Sequence, residues 1–307
     1  MPCCDPALVA QLKAALTECG KSQALVAKEM GLSGPRLSGV LNATYNVDDI
    51  AKTEAIIGTW LGKYAKRKIY KPLKLEFVET PTALRIFELA ESCRLYKELG
   101  VCIGQAGVGK TTSIREYAAR HSDVVLVYSN HSMTPHSLMV RLADGLGLDT
   151  KGSAQTLFDR CATRLHTGDY CVIIDEAEHL SAKMIDDLRR LADPEVGGCG
   201  MLFVGLDQFV ATLTSRRADY AYLYSRVHNH YHAKELSDAG VVQFCTAAGD
   251  RFVPFATAFA ARTHNPRILV HLFNECDRIC WNTERKKGEP CPLGEDVIDA
   301  AVKQLIF

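Results

Sequence analysis

A glycine-rich run between a strand-like and a helix-like segment carries the clearest chemistry in the sequence. Its residues, Gly104-Gln105-Ala106-Gly107-Val108-Gly109-Lys110-Thr111, fit the phosphate-loop pattern GxxxxGK[ST] at every fixed position. Glycines let backbone N–H groups turn toward phosphate oxygens, and the following helix, which begins at Thr112, adds partial positive charge. The pattern predicts that Lys110 reaches the β- and γ-phosphates of ATP and that the Thr111 hydroxyl holds Mg²⁺.

Two adjacent carboxylates follow a second apolar run at residues 171–174. Ligands of open α/β sheets bind at the carboxyl ends of the strands, so Asp175 and Glu176 are expected beside the phosphate loop. Asp175 suits the ordering of Mg²⁺, and Glu176 suits the polarisation of the water that attacks the γ-phosphate. Together the two motifs predict a protein that binds ATP with Mg²⁺ and hydrolyses it.

Composition narrows the class of protein. The 307 residues suffice for two domains, and 36 basic side chains balance 36 acidic ones. Neither a signal-peptide pattern nor a stretch of membrane-spanning length is present, so a cytoplasmic protein with no membrane partner is expected. The twelve cysteines lack the spacing of a disulfide framework. Possible metal ligands are Cys276, Cys280, Cys291 and His271. Their spacing lacks a CxxC pair, so it does not predict a metal site.

Residues 1–64 are predicted to form an all-helical domain. Ser22 is suited to cap one helix, Gly31 to make a turn, and Ser33 to begin the next helix. This stretch resembles the phage-repressor helix-turn-helix family. The second helix exposes few side chains for contact with DNA, namely Arg36, Ser38 and Asn42. Weak, backbone-dominated DNA contact is therefore expected, with protein docking as the alternative.

A basic cluster precedes the phosphate-loop region, and residues 65–80 are predicted to form a linker. Between Leu61 and Leu75 no acidic residue occurs, and the basic residues are Lys63, Lys66, Arg67, Lys68, Lys71 and Lys74. Residues 1–80 hold 11 basic and 8 acidic side chains, a net charge of +3. The cluster is either solvated or in contact with DNA phosphates.

Strands and helices alternate over residues 81–233, whereas residues 234–307 are predicted to be helical. The strand-like runs lie at 101–103, 124–128, 171–174, 201–204 and 227–231. This alternation predicts an α/β domain, with a parallel sheet covered by helices on both faces, followed by a small helical lid. The arrangement resembles that of AAA+ ATPases.

Three further positions resemble elements of initiator-type AAA+ proteins. The run Tyr224-Ser225-Arg226 resembles a Ser-Arg element, which implies that Arg226 reaches the nucleotide of a neighbouring subunit. The run His264-Asn265-Pro266-Arg267 resembles a lid element, which implies that Arg267 contacts ATP in its own subunit. Asp207 is the expected polar sensor after the fourth strand. A local ion pair for Arg226 and a solvated helix start for Arg267 remain alternatives.

The order of helix-turn-helix, basic linker, AAA+ core and lid resembles the phage Mu B-type target-selection ATPase family. The similar segments lie at residues 60–64, 77–80, 107–111, 115–117, 175–180, 224–226 and 267–269. The resemblance implies a homo-oligomer or helical filament on double-stranded DNA, formed with ATP, that has little sequence preference and stimulates a transposase. An ATP-responsive transcription regulator, a helicase loader and a small-molecule kinase remain alternatives.

Overall fold

The computed structural model describes residues 4–19, 21–42, 50–66, 70–215, 227–287 and 289–305. The chain forms two compact units, residues 1–71 and residues 72–307. None of the described helices is both long and apolar enough to cross a membrane.

The first unit is helical. Its helices are α1 (Pro6–Cys19), α2 (Gln23–Met30), α3 (Gly34–Leu41) and α4 (Ile50–Lys66). Ser22 and Ser33 cap α2 and α3, and Gly31 ends α2 with a φ of 70°, a conformation that favours glycine. The apolar faces of the four helices share one core that contains Leu12, Val26, Leu37, Ile57 and Trp60. A helix-turn-helix role in DNA binding stays a prediction.

A five-stranded parallel sheet organises the second unit. Its strands are β1 (Leu99–Gly104), β2 (Val124–Tyr128), β3 (Cys171–Asp175), β4 (Gly200–Gly205) and β5 (Val227–Ala233), in the order β2-β3-β4-β1-β5. All neighbouring pairs are parallel, with Tyr128 opposite Asp175 and Ile103 opposite Gly205. The predicted α/β fold is confirmed, and the register aligns the carboxyl ends of the central strands.

Helices cover both faces of this sheet. They are α5 (Pro81–Tyr96), α6 (Lys110–Arg120), α7 (Pro135–Gly145), α8 (Ala154–His166), α9 (Ala182–Ala192) and α10 (Asp207–Ser215). Side chains alternate along β3, so Val172 and Ile174 join one core while Cys171 and Ile173 join the other. Burial of both faces explains why this strand reads as a continuous apolar run.

A helical lid follows β5. It contains α11 (Asp238–Ala248), a 3₁₀ segment (Asp250–Phe255), α12 (Ala256–Ala260), α13 (Pro266–Lys287) and α14 (Glu295–Gln304). Phe252, Phe259 and Phe273 form the centre of its core, with rings 4.8–6.1 Å apart. No cluster of three or more potential metal ligands occurs in the described residues, those of the lid included.

Residues 72–80 of the predicted linker form an extended segment, the strap, that packs on the second unit. Leu73 and Leu75 pack against the core of the lid, and Phe77 stacks on Phe87 of α5 with ring centroids 5.8 Å apart. The backbone N–H of Leu73 donates to Asn274 Oδ1 at 2.6 Å. Apolar residues at every second position give an extended segment one side to bury, which explains why the strap packs on the second unit.

Candidate nucleotide site

A cleft of about 560 Å³ lies at the carboxyl ends of the sheet strands. Its volume falls within the usual range for sites that take drug-sized ligands, roughly 300–1,000 Å³. Polar lining comes from the phosphate loop, from the start of α13 and from the acidic turn that ends β3, which contains Asp175, Glu176 and Glu178. Apolar lining comes from the strap and the lid: Leu75, Phe77, Val78, Phe244 and Val270. The cleft therefore has a charged wall, suited to phosphates, and an apolar wall, suited to a base.

The phosphate loop adopts a conformation that depends on glycine. Gly107 and Gly109 have φ values of 87° and 97°, in the region that side chains disfavour. Lys110 is only 8% exposed, and its Nζ donates to the carbonyls of Gly104 at 2.6 Å and Gln105 at 2.8 Å. Burial lowers the pKa of Lys110, and the nearby Asp175 carboxylate opposes that effect. The loop thus holds one buried ammonium group at its base.

The first turn of α13 contacts the loop through Asn265. Its Nδ2 donates to Ala106 O at 2.9 Å, while its Oδ1 accepts the backbone N–H of Arg267 at 3.1 Å. The same Arg267 N–H lies 3.3 Å from Gly107 O. One buried amide therefore caps the lid helix and fastens it to the phosphate loop, which places Arg267 at the cleft.

Gly107→Ala should uncouple the lid from the loop. A Cβ at this position would overlap the Asn265 amide and lie 3.1 Å from the Arg267 Cβ, in a backbone region that L-residues disfavour. We expect at least about 10-fold weaker nucleotide binding, in addition to roughly 1–2 kcal/mol of backbone strain. Nucleotide titration and thermal melting measure the two effects.

Gly147→Ala is the matched control, because Gly147 also has a positive φ, 69°, but no atom would lie within 4 Å of its Cβ. This control should lose stability alone. Unchanged nucleotide affinity in Gly107→Ala would contradict the coupling.

Asp175 ends β3 and is 2% exposed. Its Oδ1 accepts the backbone N–H of Glu176 at 3.0 Å, whereas its buried Oδ2 has no hydrogen-bond partner in the described part of the chain. Burial raises the pKa of this carboxyl, and the neighbouring Thr111 hydroxyl and the Glu176 N–H oppose the rise. An orphaned buried carboxylate oxygen close to a hydroxyl offers the oxygen ligands that Mg²⁺ prefers.

The turn after Asp175 carries Glu176 in a left-handed conformation, with a φ of 55°. Ser129 stabilises it, because its backbone N–H donates to Asp175 O at 3.0 Å and its hydroxyl donates to Glu176 O at 2.5 Å. Glu178 Oε2 accepts the N–H of Leu206 at 3.1 Å, which ties the turn to the end of β4. A non-glycine residue held at positive φ by such contacts is common at functional sites.

An AAA domain matches residues 93–213. The Mu-like prophage FluMu DNA transposition protein B of Haemophilus influenzae is 32% identical over 225 residues, which span 72% of this chain and 77% of that protein. The chain belongs to the Mu B family of DNA transposition proteins. The ATP-dependent target DNA activator B of Escherichia phage Mu is 28% identical over 292 residues, 91% of this chain and 89% of that protein.

Solved structures share the fold of this Mu B-family chain. The Aeropyrum pernix ORC2 protein aligns with a TM-score of 0.56 at 15% identity, over 77% of this chain and 70% of that one. Thermotoga maritima RuvB aligns with a TM-score of 0.50, also at 15% identity, over 75% and 70% of the two chains. At this identity the likeness supports the AAA-type fold alone.

The cleft of this Mu B-family chain brings most of the predicted site residues together. Those that line it are Ala106, Gly107, Val108, Gly109, Lys110, Thr111, Thr112, Asp175, Glu176 and Arg267. Asp207 is turned to another partner, because its Oδ1 lies 3.0 Å from His232 Nε2, and Leu206 lines the cleft in its place. Arg226 lies outside the described residues, so its role stays a prediction.

The residues predicted to contact DNA that the structure describes do not line the cleft, and each has its own contacts or exposure. Arg36 donates to Thr53 Oγ1 at 2.8 Å within the first unit, and Asn42 Nδ2 donates to Ser38 Oγ at 3.4 Å. Lys63 and Lys71 are exposed. The Lys66 side chain, Arg67 and Lys68 lie outside the described part. The bond to Thr53 limits how far Arg36 reaches, and all these DNA contacts stay predictions.

Sequence reasoning alone misses three residues that shape the site, Ser129, Glu178 and Asn265. An asparagine immediately before Pro266 at a helix start is a recognisable N-cap signal. The sequence therefore indicates Asn265 as a cap, but not its hydrogen bond to the phosphate loop. Ser129 and Glu178 carry no such local signal, because their partners lie 47 and 28 residues away.

Proposed function

We propose that this chain is a DNA-binding ATPase that assembles on DNA with little sequence preference, delivers target DNA to a transposase and stimulates it. The observation that supports this most is the convergence of the phosphate loop, buried Asp175 and Glu176 on one cleft in a Mu B-family chain. The relatives from phages Mu and D108 are named ATP-dependent target DNA activators.

The chemistry of the site follows from its residues. Lys110 and the loop N–H groups bind the β- and γ-phosphates, and Arg267 approaches them from the lid. Thr111 and Asp175 would hold Mg²⁺, which neutralises charge on the transferred phosphoryl group. Glu176 orients the attacking water. In this proposal Arg226 of a neighbouring subunit completes the site, so that hydrolysis depends on assembly.

The wall of the cleft suggests how nucleotide controls assembly. The phosphate loop, the lid helix α13 and the strap all line it, so one bound nucleotide touches three segments that are distant in sequence. Binding would favour the arrangement that gives the best contacts to all three, and hydrolysis would remove that preference. Assembly with ATP and release after hydrolysis are the expected result.

Electron microscopy of the protein with random duplex DNA tests this function. Filaments or open helices with ATP, and none with ADP, would support it. Discrete dimers on a single site would favour a transcription regulator instead. Strand-transfer assays with a Mu-type transposase test delivery, since the protein should direct insertion to the DNA that it covers.

DNA affinity should be indifferent to sequence and fall steeply with salt. Each lysine or arginine that contacts a phosphate releases counterions, so log affinity falls against log salt by ~0.9 for each phosphate neutralised. Replacing Lys63, Arg67, Lys68 and Lys71 with glutamine should reduce this slope. Affinities for several unrelated duplexes at a series of salt concentrations measure it.

The control for that series is the glutamine variant of Lys151 and Lys183, two exposed lysines outside the basic cluster. It should keep the original slope. Preference for one duplex by about 10³-fold would indicate sequence reading. An unchanged slope in the cluster variant would exclude the cluster from the DNA contact.

A further inference from the structure

Two histidines lie next to the proposed catalytic carboxylate: His179 is beside Glu176, and His131 contacts His179. His179 Nε2 lies 3.8 Å from Glu176 Oε2. The ring of His131 contacts the ring of His179, with centroids 3.7 Å apart and planes inclined at 49°. The Glu176 side chain is 54% exposed, but that of His179 is only 18% exposed. The carboxylate thus has room to move, while its histidine neighbour is enclosed.

His131 belongs to the connection between β2 and α7, which is anchored at both ends. At one end, Ser129 donates to the carbonyls of Asp175 and Glu176. Met133 is buried in the sheet core, and Thr134 and Ser137 form a reciprocal capping box at the start of α7. His131 therefore extends from a fixed frame and gives the His179 ring a defined neighbour.

ATP hydrolysis requires that the catalytic carboxylate be held in position. A catalytic base must stay within hydrogen-bond reach of the attacking water, and a misplacement of 1 Å can reduce the rate about 100-fold. Glu176 has few other constraints, since its side chain is more than half exposed. The His179 ring nitrogen, at 3.8 Å, lies just outside hydrogen-bond distance of the carboxylate. A small rotation of the exposed Glu176 side chain would let a ring N–H donate to one oxygen and leave the other for water.

We propose that His179 is a positioning residue for Glu176 and that His131 orients His179. Neither histidine is among the described residues that line the cleft, so neither is expected to contact nucleotide. The inference rests on the proposed ATPase function and adds a support that links the β2–α7 connection to the catalytic turn.

The test compares His179→Ala and His179→Gln in the full chain, with ATP, Mg²⁺ and duplex DNA. His179→Ala should lower kcat about 10- to 100-fold and leave the nucleotide Kd within about twofold. His179→Gln keeps an N–H donor and should recover most of the loss. In the Glu176→Gln background, His179→Ala should change the residual single-turnover rate by less than about twofold, because the group it positions is gone.

His131 is tested through its ring. His131→Ala should lower kcat less than His179→Ala, and the double variant should be no slower than His179→Ala alone. His131→Phe retains a flat ring and should keep nearly normal kcat. His166→Ala, at an exposed position on α8, is the control and should have no effect. Thermal melting shows that each variant is folded.

Three results would overturn the inference. They are an unchanged kcat in His179→Ala, a loss of nucleotide affinity equal to the loss of kcat, and the same fall in rate in the Glu176→Gln background. Absence of ATP hydrolysis by the unmodified chain on DNA is a separate outcome. It would refute the proposed function, and the positioning role would fall with it.

Discussion

Alanine in place of Lys110 should abolish ATP turnover and weaken ATP binding about 10- to 100-fold. Lys110 is 8% exposed and its ammonium group donates to two loop carbonyls, so the group is largely desolvated and held at the loop before phosphate arrives. A hydrogen bond to a charged group contributes roughly 1.5–3 kcal/mol, which corresponds to that loss of affinity. Turnover suffers more, because charge on the γ-phosphoryl oxygens is redistributed in the transition state.

Titration with a fluorescent ATP analogue and a phosphate-release assay measure these effects. Lys151→Ala is the control, since Lys151 is exposed outside the cleft and should behave like the unmodified protein. The Lys110 variant should also fail to assemble on DNA with ATP. Normal binding and hydrolysis in this variant would disprove the assignment of the phosphate loop.

The sequence was sufficient for the parts of the site that are local in the chain. The glycine pattern of the phosphate loop predicts its conformation, because the positions with positive φ, 107 and 109, are glycines. The apolar run before Asp175 predicts a buried strand, and a parallel sheet brings its carboxyl end to the loop. These signals depend on residues within a few positions of one another.

The remaining contacts depend on how separate segments meet. Asn265 bonds to a carbonyl 159 residues away, and nothing in its own surroundings identifies that partner. Asp207, the expected polar sensor, begins α10, and the sequence did not indicate that His232 of β5 would lie 3.0 Å from its carboxylate. Its role as a sensor stays a prediction. The strap illustrates the same difficulty, since it continues a basic cluster that indicated a linker, whereas Leu73, Leu75 and Phe77 give it a face to bury.

The choice between the acids of the turn is the sharpest test of mechanism. Glu176 and Glu178 both line the cleft, but only Glu178 has an oxygen engaged by a backbone N–H, that of Leu206 at 3.1 Å. Glu176 keeps its carboxylate exposed, with a histidine as neighbour. This difference supports a structural role for Glu178 and the proposed catalytic role for Glu176.

Glu176→Gln should bind Mg·ATP normally and slow hydrolysis about 10²- to 10⁴-fold, because an amide does not orient or deprotonate water as a carboxylate does. Glu178→Gln retains an oxygen for the Leu206 N–H, so its rate should stay within a few-fold of normal. If ATP holds the assembly on DNA, Glu176→Gln complexes should outlast those of the unmodified protein after dilution. Single-turnover hydrolysis and DNA dissociation rates decide the matter. A faster dissociation of Glu176→Gln on addition of ATP, or an equal loss of hydrolysis in Glu178→Gln, would reject Glu176 as the base.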